Sequence, residues 1–220
     1  MPIRPITQIN IHLTYRLHGS IPSPKLKKMH SGYIEKLQKL QVRQELPVSH
    51  PDSLNYPEFR ALSTDLEIRS FLAYDVLLDA AKDGPTFLAS PAAKKIVIDS
   101  WKHIAKQYNL IVYVVCVMSN HVHVILRAVE EGAEIDGNHL MEAHKRFTGN
   151  QLNKLHSAKG RRVWAEKPYD RDIRDGRFTQ VLWYVINNPK KAGITDDPIN
   201  WFGNWINPIL EKEYVAPYRA

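Results

Sequence analysis

The sequence predicts an α+β domain built on a single β-sheet. Two β-branched runs, residues 110–118 and 121–127, are separated only by the turn pair Ser119-Asn120, which makes them an antiparallel hairpin. Stretches with three-to-four spacing of apolar residues lie on both sides of that hairpin, and an alternating stretch near the start supplies a strand far from it in sequence. Strands interspersed with helices, with at least one antiparallel pair, define this class. At 220 residues the chain suits one domain, and a chain of this length buries about 70% of its unfolded surface, enough for a core without disulfide staples.

Each element has its own signal. Residues 9–17 alternate apolar and polar and read as a strand, ended by Gly19, Pro22 and Pro24. Residues 25–43 place Leu26, Met29, Tyr33, Leu37 and Leu40 on one stripe, an amphipathic helix. Residues 47–57 are broken by prolines and read as an insertion or loop, residues 65–79 as a short helix, and Gly84-Pro85 as its stop. Ser90-Pro91 is an N-cap followed by proline in the first turn, opening a helix to about Tyr108. Asn109 turns the chain into the hairpin. Residues 138–155 repeat Leu140, Ala143, Phe147, Leu152 and Leu155 at helical spacing. Residues 160–176 read as a polar, basic connection, and residues 179–188 as a short helix stopped by Pro189. The tail after Gly193, with Trp201, Phe202 and Trp205, is expected to pack back on the body.

Composition narrows the function. Hydrophobic residues make up 44% of the chain and charged residues 24%, which excludes wholesale disorder. The one cysteine, Cys116, lies in an apolar run and forms no intrachain disulfide. No stretch approaches the ~20 apolar residues of a membrane span, and Met1-Pro2-Ile3-Arg4-Pro5 lacks the apolar core of a signal peptide. A cytoplasmic protein without a membrane partner is the expectation. The net charge is +7, and residues 145–177 contain ten Lys and Arg against four acids, or +6. Phe147, Trp164, Tyr169, Phe178, Trp183 and Tyr184 lie within or just after that stretch. Cations interleaved with aromatics suit single-stranded nucleic acid, where phosphates need charge and bases need stacking faces. A solvated basic surface over core aromatics gives the same composition.

Two local patterns have chemical potential. In His121-Val122-His123 the imidazoles are i and i+2 on a strand and so project from one face, where they can chelate a divalent metal. A structural pair of histidines fits the same spacing. Tyr184 and Asn188 are i and i+4 on the expected helix and share a face. Tyrosine can act as a covalent nucleophile, and asparagine offers a hard carbonyl oxygen to a metal. A core tyrosine with Asn188 as a helix C-cap is the plain alternative. There is no phosphate-binding glycine loop and no zinc pattern of paired cysteines.

Val117-Met118-Ser119-Asn120-His121-Val122-His123-Val124 resembles the signature of the HUH single-strand nucleases, and in particular of the REP-associated tyrosine transposases, which use a single tyrosine. Ser119 stands where the family usually has proline. Tyr184-Val185-Ile186-Asn187-Asn188-Pro189-Lys190-Lys191-Ala192-Gly193 is similar to the family's tyrosine segment. Val163-Trp164-Ala165-Glu166-Lys167-Pro168-Tyr169-Asp170-Arg171 and Leu13-Thr14-Tyr15-Arg16-Leu17-His18-Gly19-Ser20-Ile21-Pro22 resemble two further segments, the former with its spacing off by about a residue. The four matches run in order from residue 11 to 193, and residues 44–60 have no counterpart.

The resemblance implies a ferredoxin-like α+β fold, with the histidine strand central in an antiparallel sheet. It implies one transposase-type domain over residues 1–220, with a helical insertion around 24–82 and a tail after 195. The activity implied is cleavage and rejoining of single-stranded or hairpin DNA, with Tyr184 as nucleophile and a covalent 5′-phosphotyrosine as intermediate. Mg²⁺ or Mn²⁺ would be held by His121, His123 and Asn188, and no nucleotide cofactor is needed. Lys145, Arg146, Arg161, Arg162, Arg171 and Arg174 are expected to border the DNA groove, in a monomer or a homodimer. The competing functions are a non-catalytic binder of single-stranded or hairpin DNA descended from a transposase, and a metal-dependent phosphoesterase that uses water.

Overall fold

The computed structural model describes residues 3–43, 57–81 and 83–218. In chain order its elements are β1 (Ile11–Arg16), α1 (Ser23–Arg43), α2 (Pro57–Asp79), α3 (Pro91–Gln107), β2 (Leu110–Val117), β3 (His121–Ala128), α4 (Gly137–Leu155), β4 (Tyr169–Asp172), α5 (Phe178–Ile186), α6 (Asn188–Lys191) and β5 (Asn204–Ile206). The chain forms two compact units, Gly19–Gly84 and the remainder. In the first of these, α1 packs on α2. Helix α2 starts at Pro57, earlier than the expected 65–79. Proline is favoured in a first turn, where its missing N–H has no partner to lose. Apolar residues fall on several sides of α2, so no stripe marks where it begins. The loop expected at 47–57 lies outside the described residues, apart from Pro57 itself.

In the larger unit, five strands among the described residues form one sheet, in the order β4-β1-β3-β2-β5, with every neighbouring pair antiparallel. This is the ferredoxin-like α+β architecture, and the histidine strand β3 is central. The register between β1 and β3 pairs Leu13 with Val124, Thr14 with His123 and Tyr15 with Val122. Because side chains alternate, one face carries Ile11, Leu13, Tyr15, Leu17, Val122, Val124 and Leu126, packed under Val97 and Trp101 of α3 and Leu140, Met141 and Leu152 of α4. The other face carries Val114, Cys116 and Ile125 under Val181, Leu182, Val185 and Ile186 of α5. A register shift between Val112 and Val114 makes both memberships possible on β2. The extra residue flips the alternation, so Val112 and Val115 belong to the first face and Val114 to the second.

Two edge strands depart from the expected boundaries. Strand β4 lies inside the stretch read as a polar, basic connection, and β5 inside the tail. Tyr-Asp-Arg-Asp has no aliphatic residue to reveal a strand. It is a short, charged edge, which is how sheets protect exposed edges. The 179–188 helix also differs, because α5 ends at Ile186 and α6 begins at Asn188. Pro189 opens the second helix rather than simply stopping the first.

The first face buries a polar chain. Trp101 Nε1 donates to the Tyr15 hydroxyl at 2.9 Å, which lies 2.6 Å from His144 Nε2, and His144 Nδ1 is 2.9 Å from Ser100 Oγ. Burial, followed by the adjacent Lys145 charge, pushes the His144 ring down from 6.5 to about 3. The ring is therefore neutral in the fold and can accept from Tyr15. Tyr15→Phe should cost about 1–3 kcal/mol in urea unfolding, because it leaves Trp101 Nε1 and His144 Nε2 without the hydroxyl they meet. A folded pKa below the unfolded one means the unfolded chain binds more protons between the two values. The His144 contribution should be fully present above pH 6.5 and decline as pH falls towards 3, read as a falling urea midpoint.

Candidate active site

The second face of the sheet is apolar beneath α5 and polar along β1 and β3. His121 and His123 both project from it, with ring centroids 4.8 Å apart and planes nearly perpendicular at 88°. Both are buried. His121 Nδ1 lies 2.6 Å from Asn120 Oδ1 in the preceding turn. An amide oxygen only accepts, so Nδ1 carries the proton and Nε2 the lone pair.

His123 meets Thr14, His12 and Asn188. Nδ1 lies 2.9 Å from Thr14 Oγ1 and 3.1 Å from His12 Nε2, and Nε2 lies 3.2 Å from Asn188 Nδ2. The β1–β3 register explains the first two, since Thr14 stands opposite His123 and His12 opposite Ile125. His12 and Thr14 are fully buried. Burial above all, then the charges of His123 and Arg171, holds His12 well below the usual histidine range. Arg171 reaches this face because β4 pairs it with His12, and Tyr169 because it is paired with Thr14.

Helices α5 and α6 supply the remaining groups. The apolar side of α5 seats it on Val114, Cys116 and Ile125, which sets half-buried Tyr184 over the polar rows. Its ring centroid is 6.4 Å from that of His123 and 6.2 Å from that of His12, both edge-on. The Lys191 ammonium is 5.5 Å from the Tyr184 ring. Asn188 is fully buried as the first residue of α6, and its Oδ1 has no hydrogen-bond partner among the described residues. Tyr184 and Asn188 thus come from successive helices joined at Asn187, not from one helix face as their i, i+4 spacing suggests.

The six basic residues do not form one group. Arg171 shares the histidine face, and Arg174 follows it, exposed, just beyond β4. Lys145 and Arg146 ride on α4, which packs against the opposite face. Lys145 Nζ donates to the carbonyls of Ala165 and Glu166, and burial is the first cause lowering it to about 8. Arg161 stacks on Phe87 at 3.6 Å and donates from Nε to Asn153 Oδ1. Exposed Arg162 lies 3.8 Å from Glu166, and Arg146 is exposed. His12, Thr14 and Asn120 are the residues that sequence reasoning missed. Their one signal is a period-two polar row, His12 and Thr14, on a strand whose other positions are apolar.

Chemically, the cluster offers two imidazoles and an amide oxygen to a small divalent cation. This donor set suits such an ion, and the buried, unpartnered oxygen of Asn188 fits a missing ligand. A group kept for binding contributes little to the stability of the empty protein. Asn188→Leu, of similar volume, should therefore change the metal-free thermal midpoint little, because removing the unsatisfied buried oxygen offsets the loss of the Nδ2 hydrogen bond to His123. A fall of several degrees would assign Asn188 a structural role.

No protein-family model matches the chain, and no curated protein matches it. Among solved structures, the chain is similar to a REP-associated tyrosine transposase bound to a REP hairpin, at 11% identity and a TM-score of 0.44, over 93% of this chain and 78% of that one.

Proposed function

We propose that the protein is a metal-dependent nuclease and strand transferase for single-stranded or hairpin DNA, working through a 5′-phosphotyrosine at Tyr184. One observation supports this above all others. Two imidazoles from one strand, the amide of Asn188 and the phenol of Tyr184 meet on one sheet face, although His123 and Asn188 are 65 residues apart in sequence. Together with the sequence resemblance, that convergence favours a nuclease over a chance pair of core histidines.

His121, His123 and Asn188 would hold the ion, and a bound Mg²⁺ or Mn²⁺ would neutralise charge on the scissile phosphate. Tyr184 Oη attacks phosphorus and forms a phosphotyrosine, and its proton is released. The bond from phosphorus to the 3′ oxygen breaks, and that oxygen leaves as a 3′-hydroxyl after taking up a proton. One phosphoester replaces another, so no nucleotide cofactor is consumed, and a 3′-hydroxyl can reverse the step to join strands. Lys191 places positive charge beside the phenol as it gives up its proton. Arg171 and Arg174 would bind the incoming phosphates, while exposed Arg146 and Arg162 would extend the charged surface on the α4 side.

The test is a library of hairpin and single-stranded DNAs incubated with Mg²⁺ or Mn²⁺ and scored for a denaturation-resistant protein–DNA adduct. Wild-type protein should form the adduct, and Tyr184→Phe should bind DNA but form none. His121→Ala or His123→Ala should slow cleavage by at least about 100-fold, since even residues that merely support a metal ligand cost 10–100-fold. Asn188→Ala should be partly rescued by high Mn²⁺, because mass action can offset a weakened site but not a missing nucleophile. Binding without an adduct for every DNA would mark a binding protein, and cleavage by Tyr184→Phe a hydrolase. In a separate prediction, neutralising Arg171 and Arg174 together should flatten the dependence of log affinity on log salt by about 1.4 units, at roughly 0.7 per phosphate contact on single strands.

A further inference from the structure

We propose that His12, with Thr14, is a positioning residue that keeps the proton of His123 on Nδ1 and leaves the Nε2 lone pair directed at Asn188. This rests on the metal-centre reading only for the consequence of that arrangement, not for the arrangement itself. A neutral imidazole has one proton for two nitrogens. His123 Nε2 faces Asn188 Nδ2 at 3.2 Å. An amide nitrogen only donates, so that Nε2 is the acceptor and the proton must sit on Nδ1. Two acceptors await it there, Thr14 Oγ1 at 2.9 Å and His12 Nε2 at 3.1 Å.

The arrangement is built into the sheet. His12 and Thr14 are i and i+2 on β1, and the register with β3 brings them both alongside His123. All three residues are 0% exposed, so water does not compete for the proton. The His12 and His123 ring centroids are 5.3 Å apart with a 41° tilt, which lets a nitrogen of one ring face a nitrogen of the other without stacking. A ligand histidine free to rotate or change tautomer would present its lone pair to a cation only part of the time. Residues that orient a ligand in this way typically change metal affinity 10–100-fold when lost. His12 therefore sets the affinity of the centre without touching the ion.

The experiment reads the tautomer directly, by long-range ¹H–¹⁵N correlation of the His123 ring in metal-free protein at neutral pH. Wild type should show the Nδ1–H form, and an Nε2–H ring would overturn the proposal whether or not any variant folds. In the His12→Phe, Thr14→Val double variant, which keeps the packing volume but removes both acceptors, the ring should become a tautomer mixture. Mn²⁺ affinity, measured by water-proton relaxation, should fall 10–100-fold. His12→Gln, whose Oε1 can accept, should recover most of both. A double variant that loses affinity with an unchanged tautomer would overturn the proposal, since His12 would then be mere packing. An Nδ1–H ring in wild type that becomes a tautomer mixture in the double variant, with no Mn²⁺ binding by either, would uphold the positioning role and refute the metal centre, so the two failures are distinct.

Discussion

The antiparallel register of β1 on β3 is the constraint from which the rest of the larger unit follows. It sets Tyr15 opposite Val122 and Thr14 opposite His123. With a side-chain period of two, that single choice sends Leu13, Tyr15, Val122 and Val124 to the face covered by α3 and α4. It also sends His12, Thr14, His121 and His123 to the other. A slip of one residue would move the aliphatic row out of the core and the histidines into it. The strands hold their register because both faces are committed: one to aliphatic packing, the other to hydrogen bonds that only this pairing completes.

The two faces buffer polar burial differently. On the α3 and α4 side, Trp101, Tyr15, His144 and Ser100 form a closed chain in which each polar group meets another. Such a network adds rigidity without leaving a group unsatisfied. On the other side the polar cluster is incomplete, since Asn188 Oδ1 is buried with no partner among the described residues. A stable core on one face tolerates an unsatisfied group on the other, and functional sites are where local rules are most often broken.

The positions of Tyr184 and Asn188 depend on packing at one remove. Val181, Leu182, Val185 and Ile186 fasten α5 to Val114, Cys116 and Ile125. Val114 and Cys116 face α5, while Val112 packs on the opposite face, because the irregularity at Val112/Val114 reverses the alternation of β2. A backbone irregularity beside the hairpin thus helps seat the helix that presents the phenol. No helix among the described residues is long and apolar enough to cross a membrane.

Local chemistry determined a good deal by itself. The Ser119-Asn120 turn between two β-branched runs specified the central hairpin, and Ser90-Pro91 the start of α3, because turns and caps are decided by the few residues that form them. The alternation of His121-Val122-His123 gave the shared face of the imidazoles, since strand geometry is periodic. Tertiary structure alone decided the edge strands β4 and β5, whose residues have no strand pattern until a neighbour offers hydrogen bonds. It also divided the basic stretch, placing Arg171 by pairing with His12 and Lys145 by the packing of α4 on the opposite face. It placed His12 and Thr14 beside His123 as well, because a cross-strand contact between residues more than a hundred positions apart depends on register, and register is a property of two segments together.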